Sequence, residues 1–162
     1  MASIDEAKRF LRGFKKASIE YDSLNKEYER HMSALYSPST SNFSGGGGSG
    51  VPGDKLGDDV AAYVDYCRRL VEELKLYVQI RDDVRGVVRR MYEVNERWGL
   101  SLHYRYVDFM SPSLVAYEMD YADSSDERAV HRQALKYVAD MYPALIERDL
   151  QLIDSLCIRE ER

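Results

Sequence analysis

Apolar residues recur along the first 36 positions at alternating spacings of three and four. Ala7, Phe14, Tyr21, Tyr28 and Leu35 fall every seven residues, and Phe10, Ala17, Leu24 and His31 fill the position three later. This is the a/d pattern of a coiled coil, and it predicts one amphipathic helix over 4–36. Ser3, with Glu6 three residues on, supplies a capping box at its start. The pattern resumes after residue 54. Val60, Cys67, Leu74, Arg81, Val88 and Asn95 hold one seam position, and Tyr63, Leu70, Tyr77, Val84, Met91 and Trp98 hold the other. Val64, Val71 and Val78 are expected to widen the stripe. A second helix of about forty residues, roughly 60 Å long, follows from that repeat. Gly99 is expected to end it, as a glycine just past the last turn commonly does. Arg81 and Asn95 at seam positions either help fix register or mark where the seam faces solvent or another domain.

Residues 37–54, "SPSTSNFSGGGGSGVPGD", break the repeat. A segment of serine, threonine, glycine and proline buries too little surface to offset its ordering entropy, so a flexible loop is expected there. Its glycine run reads either as a native loop or as an engineered tether. Two seams joined in this way predict an antiparallel hairpin or assembly between chains, with a homodimer as the simplest assembly.

Beyond Gly99 the periodicity breaks into short helical pieces at 101–109, 112–119 and about 125–141, followed by 144–157 after Pro143. A Ser111-Pro112 cap opens the second piece, with Leu114, Val115 and Met119 as its apolar face. Asp123 or Ser124 caps the third, whose Val130, Leu135 and Val138 should face inward. Ile146, Leu150, Ile153 and Cys157 stripe the last, widened by Leu145, Leu152 and Leu156. The expected fold is all-α: a long antiparallel helical hairpin over 1–98, then a small helix-turn-helix bundle over 99–162.

Composition narrows the function classes. The chain has 162 residues, 44% apolar and 31% charged, with only four prolines, as suits a helical protein. Cys67 and Cys157 form no CxxC motif and have no histidine cluster beside them, so a reducing compartment is expected. No signal peptide or run of eighteen apolar residues is present, and no membrane partner is expected. His31, His103 and His131 are far apart in sequence, and neither GxSxG nor HExxH occurs. The glycines at 45–50 lack the Lys-Ser/Thr that a phosphate-binding loop requires. No enzyme activity, metal or cofactor is therefore expected. A net charge of −5 provides no general attraction to nucleic acid, and residues 99–142 carry four basic against seven acidic side chains.

The segment 103–138, "HYRYVDFMSPSLVAYEMDYADSSDERAVHRQALKYV", carries the functional signal. Two helices joined by a short turn can place the second in a DNA major groove. Together with the two heptad helices, this segment resembles the small phage late-gene transcriptional regulators of the ArpU/RinA kind. Arg105, Tyr106, Val107, Ser111, Val115, Ala116, Met119 and Tyr121 fit that family's aromatic run, and His131, Ala134 and Leu135 fit the end of its recognition helix. The family also tends to carry a glycine-rich stretch with a proline between its first two helices, which implies that the run at 45–50 is native. Departures are Phe109 at the family's glycine, Pro112 at its usual tryptophan, and an acidic start to the recognition helix, Asp123 to Glu127, where relatives place arginine or lysine.

The resemblance implies a bacterial-host cytoplasmic regulator that binds double-stranded DNA, with RNA polymerase or another protein as a further partner. The DNA-facing candidates are Ser124, Ser125, Arg128, His131, Arg132 and Lys136. Arg128 and Arg132 read equally well as solvated charges. Two basic groups, Lys8, Arg9, Arg12, Lys15 and Lys16 on the first helix and Arg85, Arg89 and Arg90 on the second, read as braces for a DNA backbone or as solvated flanks of the hairpin. The second functional reading is a protein-binding inhibitor or antirepressor on the same scaffold, with DNA binding lost.

Overall fold

The computed structural model describes residues 1–36 and 55–160, with the side chains of 35, 36, 55–59 and 157–160 excepted. The expected loop at 37–54 and the seam roles of Leu35 and Cys157 therefore lie outside the described residues. Val60, where the second seam begins, is exposed. Six helices and no strand occur among the described residues: α1 (Ile4–Tyr36), α2 (Lys55–Val94), α3 (Glu96–Tyr106), α4 (Pro112–Glu118), α5 (Ser124–Met141) and α6 (Pro143–Glu160). The chain is all-α.

α1 opens with the capping box its sequence announces. The Ser3 N–H donates to Glu6 Oε2 at 2.7 Å, and the Glu6 N–H donates to Ser3 Oγ at 3.1 Å. This satisfies two of the amide donors that a helix start leaves open. α2 returns antiparallel to α1. The Tyr63 hydroxyl donates to the His31 carbonyl at 2.5 Å, Tyr66 to the Glu27 carboxylate, and Arg81 lies over the rings of Phe14 and Tyr21. These pairs are the register of an antiparallel hairpin. Arg81 thus stays at the seam by resting its guanidinium on aromatic faces, 5.2 Å from the Tyr21 ring centre.

The hairpin is embedded at one end and thin at the other. Ala7, Phe10, Leu11, Phe14 and Ala17 of α1 are buried in one core with Tyr77, Ile80, Val84, Val87, Val88 and Met91 of α2. Leu102 and Tyr106, Ala134, Leu135, Val138 and Ala139, and Ile146, Leu150, Ile153 and Leu156 complete that core from α3, α5 and α6. The core therefore runs across residues 98 and 99 without interruption. Towards the other end, Tyr21, Leu24, Tyr28 and His31 are half-buried, as are Tyr63, Tyr66 and Cys67. The α2 stripe widens on the side opposite to the expected one. Ile80 and Val87 are buried, while Val64 and Val78 are exposed, because α2 turns the Ile80 flank toward the remaining helices.

The long helix ends at Asn95 and not at Gly99. Asn95 takes an extended conformation and its side chain accepts from the Trp98 N–H at 3.3 Å, capping α3. Asn95 is thus a cap and no register residue. Gly99 lies inside α3 and is buried against Tyr92, where a Cβ would fall 2.8 Å from the Tyr92 Cα. The glycine is required by the close approach of α3 to α2 and has no part in ending a helix. Gly99→Ala should consequently destabilise the protein by about 1–3 kcal/mol through overpacking. Thermal unfolding checks this, at roughly 2–4 °C of lost Tm per kcal/mol for a chain of this size.

Candidate nucleic-acid interface

The helix-turn-helix segment folds as α4, a turn over 119–123, and α5. Ser111 caps α4, accepting from the Leu114 N–H at 3.4 Å, and Pro112 occupies the first turn, where its missing N–H costs nothing. α4 ends in a Schellman arrangement. The Tyr121 N–H donates to the Ala116 carbonyl at 2.9 Å and the Asp120 N–H to the Tyr117 carbonyl at 3.2 Å, with Asp120 at φ 56. Aspartate tolerates that left-handed conformation better than most residues. Val115 and Ala116 provide the buried face of this short helix, whereas Leu114, expected inward, is 45% exposed. Asp123 then caps α5, its Oδ1 accepting from the Ser125 N–H at 2.6 Å and from the Ser125 hydroxyl. Those hydrogen bonds to Ser125 hold the Asp123 carboxyl below the ordinary carboxylate range.

A buried polar network locks α5 onto α3. Glu127, fully buried, receives Arg105 Nε at 2.8 Å on Oε1 and Arg105 Nη2 on Oε2. The Ser101 hydroxyl donates to Glu127 Oε1 at 3.0 Å. His131 lies beside this pair, with Nδ1 3.4 Å from Ser101 Oγ and Nε2 3.1 Å from the Tyr106 hydroxyl. One assignment satisfies every atom: the neutral ring carries its proton on Nδ1, Ser101 Oγ accepts it, and Tyr106 donates to Nε2. Burial, then the charges of Arg105 and Lys8, push the His131 pKa down to about 3, and burial pushes Tyr106 up to about 12. Glu127 is thus an internal charge and not one on the exposed side of α5. It neutralises Arg105 inside the protein.

The structure sorts the candidate residues. Arg128, Arg132 and Lys136 are exposed on one side of α5, and none of them makes an ion pair among the described residues. Ser124 is half-buried, and Ser125 is exposed with its hydroxyl engaged by Asp123. His131 borders the groove that Arg128 and Arg132 line but is turned largely inward: it is 6% exposed, both ring nitrogens are occupied, and its ring stacks on Tyr106 with centroids 5.5 Å apart. The Glu127 and His131 positions were legible as an inward stripe with Ala134, Leu135 and Val138, at i, i+4, i+7, i+8 and i+11. Charge obscured the first of them, because an isolated buried glutamate is costly and its partner Arg105 is 22 residues away in sequence.

No family model, curated protein or solved structure matches this chain.

What the sequence left open was where the basic group of α1 lies. α1 packs directly on α5. Lys8 and Arg105 line a groove of about 570 Å³ together with Arg128, Arg132, Pro112 and Leu135, and Asp5 adds a carboxylate to its lining. Lys8 and Arg105 also border an adjoining pocket of about 520 Å³ that Arg12, Lys15 and Lys16 continue along α1. Arg9 leaves this set and pairs with Asp154 of α6. Of the second basic group, Arg85 lies over the Phe14 ring at 5.1 Å. A chain of net charge −5 thus gathers cations of α1 and α5 along two adjoining depressions, whose linings also hold the carboxylates of Asp5 and Glu20. Among the described residues no cluster of three metal-ligating side chains occurs and no helix is long and apolar enough to cross a membrane.

The buried histidine sets a pH dependence. The unfolded chain takes up a proton on His131 below about pH 6.5, while the folded chain refuses it until about pH 3. Acid therefore favours unfolding across that window. The stability from neutral His131 is complete above pH 6.5 and declines by up to about 1.4 kcal/mol per pH unit below it. Denaturant unfolding at pH 7, 6, 5 and 4 reads the slope, which His131→Gln should flatten.

Proposed function

We propose that this protein is a DNA-binding transcriptional regulator of the phage late-gene kind, reading double-stranded DNA through α5. The observation that carries the reading is the continuous groove in which Arg128 and Arg132 of the second helix meet Lys8 of α1. A reading helix needs side chains that reach base edges and a neighbouring element that holds phosphates. Here α5 presents Arg128, Arg132 and Lys136, and α1 brings the cations that the start of α5 lacks. The acidic run at the head of α5 also loses most of its force as an objection. Glu127 is buried and paired with Arg105, and Asp123 is engaged as a cap, so that Asp123 and Asp126 are the exposed carboxylates there. The fit of Arg105, Tyr106, Ser111, Val115, Ala116 and Tyr121 to the phage-regulator pattern supports the same reading. Polymerase contact and homodimerisation through the hairpin belong to it as further proposals.

A second reading, a protein-binding inhibitor on the same scaffold, is favoured by one observation. Tyr117, Glu118, Asp120 and Tyr121 form an acidic, tyrosine-bearing concavity at the α4–α5 turn, with Tyr117 76% exposed. Tyrosine beside carboxylates suits a basic protein surface better than a phosphate backbone.

Binding to DNA fragments from the surrounding genome, across a salt series, separates the two. The regulator reading expects sequence-preferring binding whose logarithm falls linearly with the logarithm of salt. Arg128→Glu and Arg132→Glu should each weaken it at least about tenfold, and removing one phosphate-neutralising cation should lower the salt slope by about one. Circular dichroism should remain that of the parent. Absence of binding at about 50 mM salt, where phosphate contacts are strong, would turn the assignment to the protein-binding reading.

A further inference from the structure

The pocket beside the reading groove has a composition that phosphate bracing alone does not need. Its lining sets Lys8, Arg12 and Lys15 on one side of α1, with Glu20 as a carboxylate further along the helix, against Tyr106, Phe109 and Met110 from the end of α3 and the segment after it. Lys8, Arg12 and Lys15 make no ion pair among the described residues. Phe109 is the unusual member. It sits at φ 58, a left-handed conformation that a bulky aromatic residue rarely adopts. The turn that holds it is closed by the Met110 N–H donating to the Tyr104 carbonyl at 2.8 Å, and the residue is 43% exposed. One edge approaches Phe14, with centroids 6.1 Å apart, and Lys15 Nζ stands 5.3 Å from the ring centre. A left-handed backbone conformation thus leaves a flat apolar ring partly open to solvent beside Lys8, Arg12 and Lys15, which outnumber Glu20 in the lining.

We propose that this pocket binds a nucleotide, its phosphates held by Lys8, Arg12 and Lys15 and its base laid against Phe109. The spacing suits such a ligand. From Lys8 to Lys15 the helix rises about 10 Å, so the three cations follow a run of consecutive phosphates rather than a single one. Positively charged grooves combined with exposed aromatic rings are the recurrent means of holding unpaired nucleotides, because every base has a face that stacks. The volume, about 520 Å³, is that of a small-molecule site. The ligand is either a free nucleotide or an unpaired nucleotide of a strand whose neighbouring portion lies in the α5 groove. The site does not depend on the reading of α5, although Lys8 and Arg105 border both depressions.

Fluorescence anisotropy with the full chain tests this at about 50 mM salt, using labelled ATP and a labelled single-stranded oligothymidylate as probes. At least one probe should bind. Phe109→Gly should weaken that binding about tenfold, the order of one base–aromatic stack, and leave thermal stability equal or higher, since glycine adopts φ 58 freely. Phe109→Asn, which also tolerates the conformation, should lose binding in the same way. Lys15→Glu should weaken it further. ATP binding assigns the site to a free nucleotide, and oligothymidylate binding without ATP binding assigns it to a strand. Arg128→Glu with Arg132→Glu should spare ATP binding and leave any oligothymidylate binding dependent on Phe109, while abolishing duplex binding, so failure of the duplex reading and failure of this one are read separately. Four results overturn the proposal: neither probe binds; binding is indifferent to Phe109; inorganic triphosphate displaces the probe as well as ATP does; or an acidic aromatic peptide binds through Phe109 where the nucleotides do not.

Discussion

Arg105 and Glu127 form the contact on which the placement of the whole second half depends. A carboxylate with no exposed surface is tolerable only if a cation and further donors surround it, and Arg105 with Ser101 supplies three hydrogen bonds. Removing one partner of such a pair typically costs about 3–5 kcal/mol, because the other is left uncompensated. The contact also has a directional consequence. A two-pronged guanidinium donates to a carboxylate in one plane, so it fixes the rotation of α5 about its own axis as well as its distance from α3. With Glu127 turned inward, Arg128 and Arg132 are turned toward α1. The polarity of the inner face thereby decides what the outer face presents.

α1 serves two surfaces at once. Ala7, Phe10, Leu11, Phe14 and Ala17 fill the core, while Lys8, Arg12 and Lys15 stand on the exposed side between them. This division explains why the basic group of the first helix is not simply a solvated flank of a hairpin. Once α5 packs beside α1, the same side chains become one wall of a depression. Net charge conceals this, because local arrangement outweighs the total at distances below the Debye length of about 10 Å.

Most of the architecture was legible from periodicity. The α1 seam, the capping box at Ser3 and Glu6, the Ser111-Pro112 start of α4 and the Asp123 cap of α5 all follow from local rules that involve neighbours within a few residues. What was not legible required knowledge of distant partners. Gly99 resembles a helix terminator until Tyr92 is placed against it, and Asn95 resembles a seam residue until α3 is seen to begin there. His131 was expected to face DNA from its place in α5, yet its environment is made by Tyr106 and Ser101, 25 and 30 residues earlier. The wider α2 stripe fell on Ile80 and Val87 for the same reason, since a symmetric heptad does not reveal on which flank further helices will pack.

The two-ended character of the hairpin has a consequence for how the protein opens. At its base, α1 and α2 share a core with α3, α5 and α6, and backbone amides there exchange with solvent only when much of the molecule unfolds. Toward Tyr28, His31, Tyr63 and Tyr66 the two helices hold one another through half-buried tyrosines, with Leu70 the buried aliphatic residue on that stretch of α2. A pair of helices that buries so little separates at a small fraction of the global free energy. Amide protection should therefore form a gradient along a single pair of helices, high near Phe10 and Met91 and falling steadily outward. The outer arm can splay and re-close many times during the life of one folded core, so that whatever it meets is met by a surface already accustomed to parting.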